Sequence, residues 1–427
     1  MTLSLKNIGK VKDATVKIVG ITVIAGENNT GKSTIGKVLY STFNGFHVVE
    51  QQLKEEKSHA LIRAIERILA EKKLRIPRYI ISDISEQVAD RIDLSETMDT
   101  EDILLFVIDV INSYSDRFDI KIDGNIFSEK DIRQLSGILK VPNKEITKKM
   151  LNDRFIDEFH GQPNNIHSNE PGKITLTIKG LISTIEIDNN TVNEFTNNTD
   201  LQTEAVYVDD PFIIDDNSMM HRSLGFYMRR KYFDHRSHLK TKLATENHNT
   251  VIIDQIFIEE KFNSIFDKIG VIFEKDLFKS RRPSIKLNDK DAEKPLDIRN
   301  LSAGMKTFLI IKTLLNNGTI EENGTIILDE PEIHLHPAWQ LLFAELIVLL
   351  QKEFSLHILI TTHSPYFLRA IQVYAGKHKI ANMCKYYLSE LDGEMANIVD
   401  VTHDIDQVYK KMFQPFQELE DSRWNDD

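Results

Sequence analysis

A single cysteine, Cys384, stands among the 427 residues. One thiol permits no internal disulfide and excludes a four-cysteine zinc module, as expected for a reducing compartment. Long hydrophobic runs are missing too. No window approaches 18 uninterrupted apolar residues, so no membrane span is expected. The opening "MTLSLKNIGKVKD" lacks the apolar centre of a signal peptide, and the expected location is the cytoplasm. In that setting the sequons of "DNNTVNEFTNNTD" are expected to be inert loop residues. Positive charge is in deficit: 53 Lys and Arg face 65 Asp and Glu, a net charge of −12. That balance argues against a nonspecific nucleic-acid coat but leaves room for a local basic face. Sustained heptads are absent, which argues against a long coiled coil, and no fixed-period repeat is visible.

What is present suits a globular protein: 41% hydrophobic and 28% charged residues, in a length that holds two or three domain-sized units or one large domain with insertions. Ala14, Val16 and Ile18 alternate as in a strand, "ITVIAG" is a short buried strand ending in glycine, and "KSTIGKVLYSTF" is a helix. Residues 49–169 are dense in Lys, Glu, Leu and Ile, with stretches such as "LIRAIERILAEKK", and predict a helical insertion. Residues 163–172 read as a loop. Ile174, Leu176, Ile178, Ile185 and Ile187, broken by Gly180, predict a hairpin. "EAVYVDDPFIIDD" is a buried strand running into an acidic turn, and 217–280 predicts a helical arm. After residue 295, apolar strands ("GTIILDE", "LHILITTHS") alternate with helices ("LSAGMKTFLIIKTLL", "HPAWQLLFAELIVLLQKEF"). That alternation predicts a parallel sheet covered on both faces.

"GENNTGKST", Gly26 to Thr34, fits G-x-x-x-x-G-K-[ST] in full, with an apolar strand before it and a helix after. The pattern is chemical. Gly26 and Gly31 let the backbone of Glu27, Asn28, Asn29 and Thr30 curl so that successive N–H groups point at phosphate oxygens. The helix N-terminus aims its positive end the same way. Lys32 would reach the β- and γ-phosphates of ATP, and the Ser33 hydroxyl would ligate Mg²⁺.

"LDEPEIHLHP", Leu328 to Pro337, places carboxylates and two histidines within a few positions. Zinc and nucleotide hydrolysis are both open on those letters. "TIILDE" is a buried strand that ends on Asp329 and Glu330, which puts them at the carboxyl edge of a parallel sheet, where ligands bind in open α/β folds. Asp329 would hold the magnesium shell through water. Glu330 would orient or deprotonate the attacking water. Zinc needs three or four converging ligands. "NLSAGMKTFLIIKTLL" opens on Ser302, Ala303 and Gly304, a second anion site at a helix start; alone, it would be an ordinary serine N-cap. "LITTHS" ends a strand at His363.

Taken in that order, these motifs resemble ABC-type ATPase heads. "LSAG" stands where transporters have "LSGG", and His363 resembles the switch histidine that contacts the γ-phosphate. "DEPEIHLHPAWQ" followed by "THSP" is similar to the SMC-like and OLD-family branch, which includes ATPases of bacterial anti-phage systems. The resemblance covers residues 1–48 and 296–370 and is weak between them. It implies an α/β P-loop fold of ABC type: a mixed sheet flanked by helices, a discontinuous head of 1–48 and 170–427, and a largely helical insertion. It also implies ATP sandwiched in a homodimer, with Ser302 and Gly304 supplied by the opposite head, and His334 and His336 along the interface. Two departures stand out. The magnesium-sensing glutamine is not placed, Gln134 and Gln202 being the candidates considered. The signature continues "MK" where transporters commonly have a glycine and a glutamine.

Three further clusters invite chemistry. Residues 221–242 hold seven Lys or Arg against one Asp, with Tyr227, Tyr232 and Phe233 interleaved. This is either a nucleic-acid or partner face including Arg229 and Arg230, or a solvated helix face paired with the acidic insertion. Asp209, Asp210, Asp215 and Asp216 are either a second metal site or an acidic turn. Asp234, His235 and His238 have no third metal ligand in reach and read as surface residues.

The leading expectation is an ATP-hydrolysing dimeric switch controlling a partner toxin or nuclease in anti-phage defence. An SMC-like DNA-maintenance or repair ATPase is the alternative, with an insertion too short for a long coiled coil. A transporter subunit is disfavoured by the "HLHP" wording and the split head. A self-contained Toprim nuclease is disfavoured because only 64 residues follow His363.

Overall fold

The computed structural model describes residues 1–74, 77–92, 100–113, 126–215, 234–244, 271–272, 284–287 and 296–424. The chain divides into two compact units, a head of Met1–His47 with Asn152–Asp427, and a second unit, Val48–Leu151.

The head begins with an antiparallel hairpin, β1 (Thr2–Ile8) and β2 (Val11–Lys17), in which Ala14 and Val16 alternate inward. Strand β3 (Ile21–Gly26) is buried along its whole length and leads through a turn into α1 (Lys32–Phe46). The second unit follows as α2 (Val49–Glu71), α3 (Arg78–Arg91), α4 (Thr100–Ser113), α5 (Glu129–Leu139) and the start of α6 (Asn143–Glu158). Its own core gathers Leu61, Ile65, Ile68, Val88, Val107 and Leu135. Ser128 and Asp131 form a reciprocal capping box at the start of α5.

This compact unit ends at Leu151, earlier than residue 169, because residues 159–169 belong with the head. There the Gly9 amide donates to the Pro163 carbonyl at 2.8 Å, and the Asn165 amide donates to the Asn7 carbonyl at 3.0 Å. Composition does not mark the change, since α6 runs straight through it.

Strands β4 (Gly172–Ile178), β5 (Leu181–Asp188) and β6 (Thr191–Thr196) extend the hairpin into an antiparallel wing. Then come β7 (Ala205–Val208), a 3-10 turn at Pro211–Asp215, and α7 (His235–Ala244). Of the helical arm expected over 217–280, the described residues contain this helix and a strand, β8 (Val271–Ile272). It joins β9 (Ser284–Leu287) and β10 (Leu296–Asp297) in a small antiparallel sheet, so the helical expectation is corrected at 271–272.

The last stretch supplies α8 (Ala303–Asn316), β11 (Thr325–Asp329), α9 (Pro337–Phe354), β12 (His357–Thr362), α10 (Pro365–Lys377), β13 (Cys384–Asp392), β14 (Met395–Asp400) and α11 (Asp406–Trp424). All the large strands form one eleven-stranded mixed sheet, ordered β6-β5-β4-β1-β2-β14-β13-β3-β12-β11-β7. From β13 to β7 the pairing is parallel throughout. Strands β3, β12, β11 and β7 carry few polar residues because both their faces are covered. Val23, Ala25, Val206, Val208, Ile326, Leu328, Ile358 and Ile360 join one core with α8, α9 and α10, and α1 packs against β7, β11 and β12. Since β3, β12, β11 and β7 run the same way, their carboxyl ends emerge at one edge. Asp329 is in register with Thr361, and Thr362 with Ala25.

Phe308 of α8 is fully buried and meets Trp339 and Phe343 edge-on, at 5.6 and 5.2 Å between ring centroids. Phe308→Ala is expected to destabilise the head by ~3–5 kcal/mol, read as a lowered urea midpoint. A loss under about 1 kcal/mol would contradict this packing.

Candidate nucleotide site

The loop after β3 is held by its own backbone needs. Gly31 has φ +84° at the start of α1, the left-handed region that favours glycine, and a Cβ there would lie 3.0 Å from Val11 Cγ2. Thr30 Oγ1 donates to the Glu27 carbonyl at 2.8 Å, and Ser389 Oγ, from β13, donates to the Thr30 carbonyl at 2.6 Å. No side chain caps the N-terminus of α1 and its first turn has no acid, which leaves a positive helix end at the loop. The nearly buried Lys32 folds over it, its Nζ 3.1 Å from the Gly26 carbonyl, 2.7 Å from the Glu27 carbonyl and 3.6 Å from Glu330 Oε1.

The neighbouring strands close the site. Ser33 Oγ, in the first turn of α1, donates to Asp329 Oδ1 at 3.1 Å. Thr361 Oγ1 donates to the same oxygen, and Tyr207 Oη donates to Oδ2 at 2.8 Å. A hydroxyl and a carboxylate converging beside a lysine are an all-oxygen donor set that fits a hard divalent cation accompanying a phosphate.

Glu330 leaves the strand with φ +49°, unusual for a residue with a Cβ. Its amide is tied to Thr361, to the carbonyl at 3.1 Å and to Oγ1 at 3.2 Å. The turn presents its carboxylate between Lys32 and His363, whose Nδ1 lies 3.5 Å from Glu330 Oε2. A base flanked by a cation and an imidazole can accept a proton from water and pass it on.

Several contributors were not singled out from the sequence. Tyr207 and Thr361 lie inside apolar strands, and their hydroxyls were the only clue. Glu332 is buried; its Oε1 accepts from Thr362 Oγ1 and from the His363 amide at 3.2 Å. Burial pushes its carboxyl above the usual range, against the hydrogen bond from Thr362. It thereby fixes the backbone that carries His363.

The other expected residues fall as follows. Ser302 is exposed and caps α8, its Oγ accepting from the Met305 amide at 3.3 Å. Gly304 is buried against Leu335, where a Cβ would lie 2.8 Å from Leu335 Cδ2, so the helix start and "DEPEIHLHP" touch within one chain. Lys306, the "K" of the departure from the signature, is buried and pairs with Asp215. Residues 331–334 form a turn that carries His334, and His336 stands just before α9. The His334 ring meets Phe212 edge-on, and His336 caps α9. Among the described residues, no three His, Cys, Asp or Glu side chains group as a metal site.

Of the two glutamine candidates, Gln202 does not suit a magnesium sensor at this edge. Gln202 precedes β7 at the amino end of the parallel strands, opposite the loop, and Gln134 belongs to α5 of the second unit. The acidic turn is already paired: Asp209 with Arg236 and His235, and Asp215 with Lys306. Asp216 lies outside the described residues, as do Arg229, Arg230, Tyr227, Tyr232 and Phe233. In the described part of the basic stretch, Arg236 and Lys242 pair with Asp209 and Glu204, carboxylates of the head rather than of the insertion.

His235 and His238 are not surface residues. His235 Nδ1 lies 2.7 Å from Glu158 Oε1 and Nε2 3.1 Å from Asp209 Oδ2, and its ring stacks on Tyr207. Burial alone would lower its pKa, but hydrogen bonds to Asp209 and Glu158 outweigh burial and raise it from 6.5 to about 9. Glu204 shows the reverse: burial would raise it, but His238 and Lys242 bring it from 4.5 to about 2. Buried charges are tolerable only because each is paired; removing one partner from such a pair typically costs ~3–5 kcal/mol.

A family model described as an AAA ATPase domain matches residues 1–368. A relative in Escherichia coli, the retron Ec83 probable ATPase, is 36% identical over 81 residues, which is 16% of this chain and 14% of that protein's length. Among solved structures, similarity extends to an SMC head bound to the C-winged helix domain of ScpA (TM-score 0.41, 13% identity, 93% of this chain and 97% of that one). It extends also to the SMC head domain from Thermotoga maritima (0.35, 13%, 94% and 98%). A third is an Smc head with an extended coiled coil bound to the C-terminal domain of ScpA from Pyrococcus furiosus (0.42, 12%, 99% and 98%).

The paired histidine sets a pH dependence. Facing His235 are Glu158, Asp209, Arg236, Tyr207 and Tyr40. Its folded pKa lies above the unfolded 6.5, so its stabilisation is fully present below pH 6.5 and is lost as pH rises through about 9. The melting-temperature advantage of the wild type over His235→Asn is therefore expected to shrink between pH 6.5 and 9. Parallel curves would contradict the charged pair.

Proposed function

The chain belongs to the family of the AAA ATPase domain, and on that premise we propose that it binds ATP with Mg²⁺ and hydrolyses it as the switch of a defence system. The observation that carries the reading is the convergence of Ser33 on Asp329 at 3.1 Å with Lys32 beside Glu330 at 3.6 Å. This convergence supports reading these side chains as phosphate-binding and hydrolytic groups at one sheet edge.

In this reading, the Gly26–Thr34 backbone and Lys32 hold the β- and γ-phosphates. Ser33 and Asp329 would hold Mg²⁺, Asp329 through water. The bound ion supplies charge neutralisation on the phosphates. Glu330 orients the attacking water and takes its proton. His363, beside Glu330, faces the γ-phosphate. Glu332 and Thr361 keep His363 and Glu330 in place.

The proposed mode of action is a homodimer in which Ser302 and Gly304 of one head complete the site of the other, and whose ATP state controls a partner effector in anti-phage defence. Motif order and the placement of Ser302 at an exposed helix start support the dimer. The short match to the retron ATPase supports the defence setting. The OLD-family affinity rests on the wording of "DEPEIHLHP" and "THSP". The effector is proposed as a toxin or nuclease by analogy with that branch.

Glu330→Gln is expected to lower phosphate release by at least ~100-fold while retaining ATP, and light scattering is expected to find an ATP-bound dimer. A variant that stays monomeric at saturating ATP would remove the sandwich. Lys32→Ala is expected to lose ATP binding in a fluorescent-nucleotide titration, and unchanged affinity would remove the phosphate-loop assignment.

A further inference from the structure

The two oxygens of Asp329 are held by different parts of the head. Oδ1 takes the hydroxyls of Ser33 and Thr361, whereas Oδ2 takes Tyr207 Oη at 2.8 Å. Tyr207 is itself fully buried in β7. Its ring stacks on His235, with 4.3 Å between centroids and 23° between planes. His235, the first residue of α7, is hydrogen-bonded to Glu158, its amide to Oε2 at 2.9 Å and Nδ1 to Oε1 at 2.7 Å, while Nε2 lies at ion-pair distance, 3.1 Å, from Asp209 Oδ2. On α1, Gly36 leaves room for the Tyr207 hydroxyl; a Cβ there would lie 3.1 Å from Oη and 3.0 Å from Ile327 Cγ2. Glycine is a poor helix former, so its presence inside α1 fits a requirement for that close approach.

From this arrangement we infer that His235 is a positioning residue for the metal carboxylate: clamped by Glu158 and Asp209, it sets the plane of the Tyr207 ring, and the Tyr207 hydroxyl fixes the rotamer of Asp329. The inference rests on the reading of Ser33 and Asp329 as the residues that would hold Mg²⁺, Asp329 through water. The physical reason is geometric. A carboxylate on the last residue of a strand can rotate about its side-chain bonds. A donor of fixed direction on Oδ2 leaves Oδ1 facing Ser33. The donor's direction is fixed by the ring, and the ring by the imidazole packed flat on it. Removing a hydrogen-bonded outer-shell partner of a metal site characteristically costs about 10–100-fold in metal affinity. The imidazole reaches Asp329 through Tyr207, on which it stacks, and it also meets Tyr40 of α1 edge-on at 6.1 Å.

The test measures the affinity of mant-ATP for the full-length protein twice, in EDTA and in saturating Mg²⁺, and takes the ratio as the contribution of the metal. Tyr207→Phe removes only the hydroxyl and keeps the ring. It is expected to lower the ratio about 10-fold with EDTA binding unchanged. His235→Asn is expected to lower it by a similar factor, and the double variant by no more than the larger single effect, the signature of one shared path. Gly36→Ala, whose Cβ would lie 3.1 Å from the Tyr207 hydroxyl and 3.2 Å from ring carbon Cζ, is expected to lower the ratio as well. A wild type whose mant-ATP affinity is indifferent to Mg²⁺ would overturn the magnesium-ATP reading itself. A wild type that depends on Mg²⁺, with His235→Asn matching its ratio or adding independently to Tyr207→Phe, would overturn the positioning role alone. A lowered melting temperature with an unchanged ratio would count as that second outcome.

Discussion

The hydrogen bond from Ser33 to Asp329, 3.1 Å long, joins side chains 296 positions apart in the chain. It exists because β3, β12 and β11 are parallel and in a register that sets Thr362 beside Ala25 and Thr361 beside Asp329. A slip of one residue along β11 would turn Asp329 to the other face of the sheet. The register is in turn fixed by burial on both faces, with Ile326 and Leu328 in the core shared with α8 to α10. The electrostatics of the site therefore rest on an apolar constraint, and the insertion of a whole helical unit between α1 and β4 leaves that constraint untouched.

Around this bond the head places polar groups where a sheet of this kind tolerates few. Tyr207, Thr361, Thr362 and Glu332 are all buried; Tyr207 and Thr361 engage Asp329 or Glu330, Glu332 holds the backbone of His363, and Thr362 donates to Glu332. The left-handed backbone of Glu330 belongs to the same pattern. Strain of order 1–3 kcal/mol persists only where surrounding contacts over-determine it, and two hydrogen bonds to Thr361 do so here. Behind this layer the ion-paired cluster of Glu158, His235, Asp209 and Arg236 joins α6, α7 and the end of β7.

The local signals were legible in the sequence. A glycine loop between an apolar strand and a helix is readable because all its parts are contiguous, and "TIILDE" is readable because a buried strand ending on carboxylates has one sensible edge to end at. What could not be read depends on distant partners. His235 and His238 read as surface residues because Glu158 and Glu204 lie 77 and 34 positions away. Tyr207 and Thr361 look like strand filler until β11 is set beside both strands. The end of the second unit was placed too late because α6 crosses it without a break. The acidic turn after β7 offered two readings until Lys306, Arg236 and His235 were seen to pair with it.

Hydrogen–deuterium exchange with and without Mg²⁺ and a non-hydrolysable ATP analogue tests the central claim most directly, since it reports on backbone amides at each edge of the sheet. If the carboxyl edge is the nucleotide site, peptides covering residues 26–34 and 329–332 slow markedly on ligand addition, while the wing strands β4 to β6 do not change. Exchange at residues 26–34 that is the same with and without the nucleotide would contradict it.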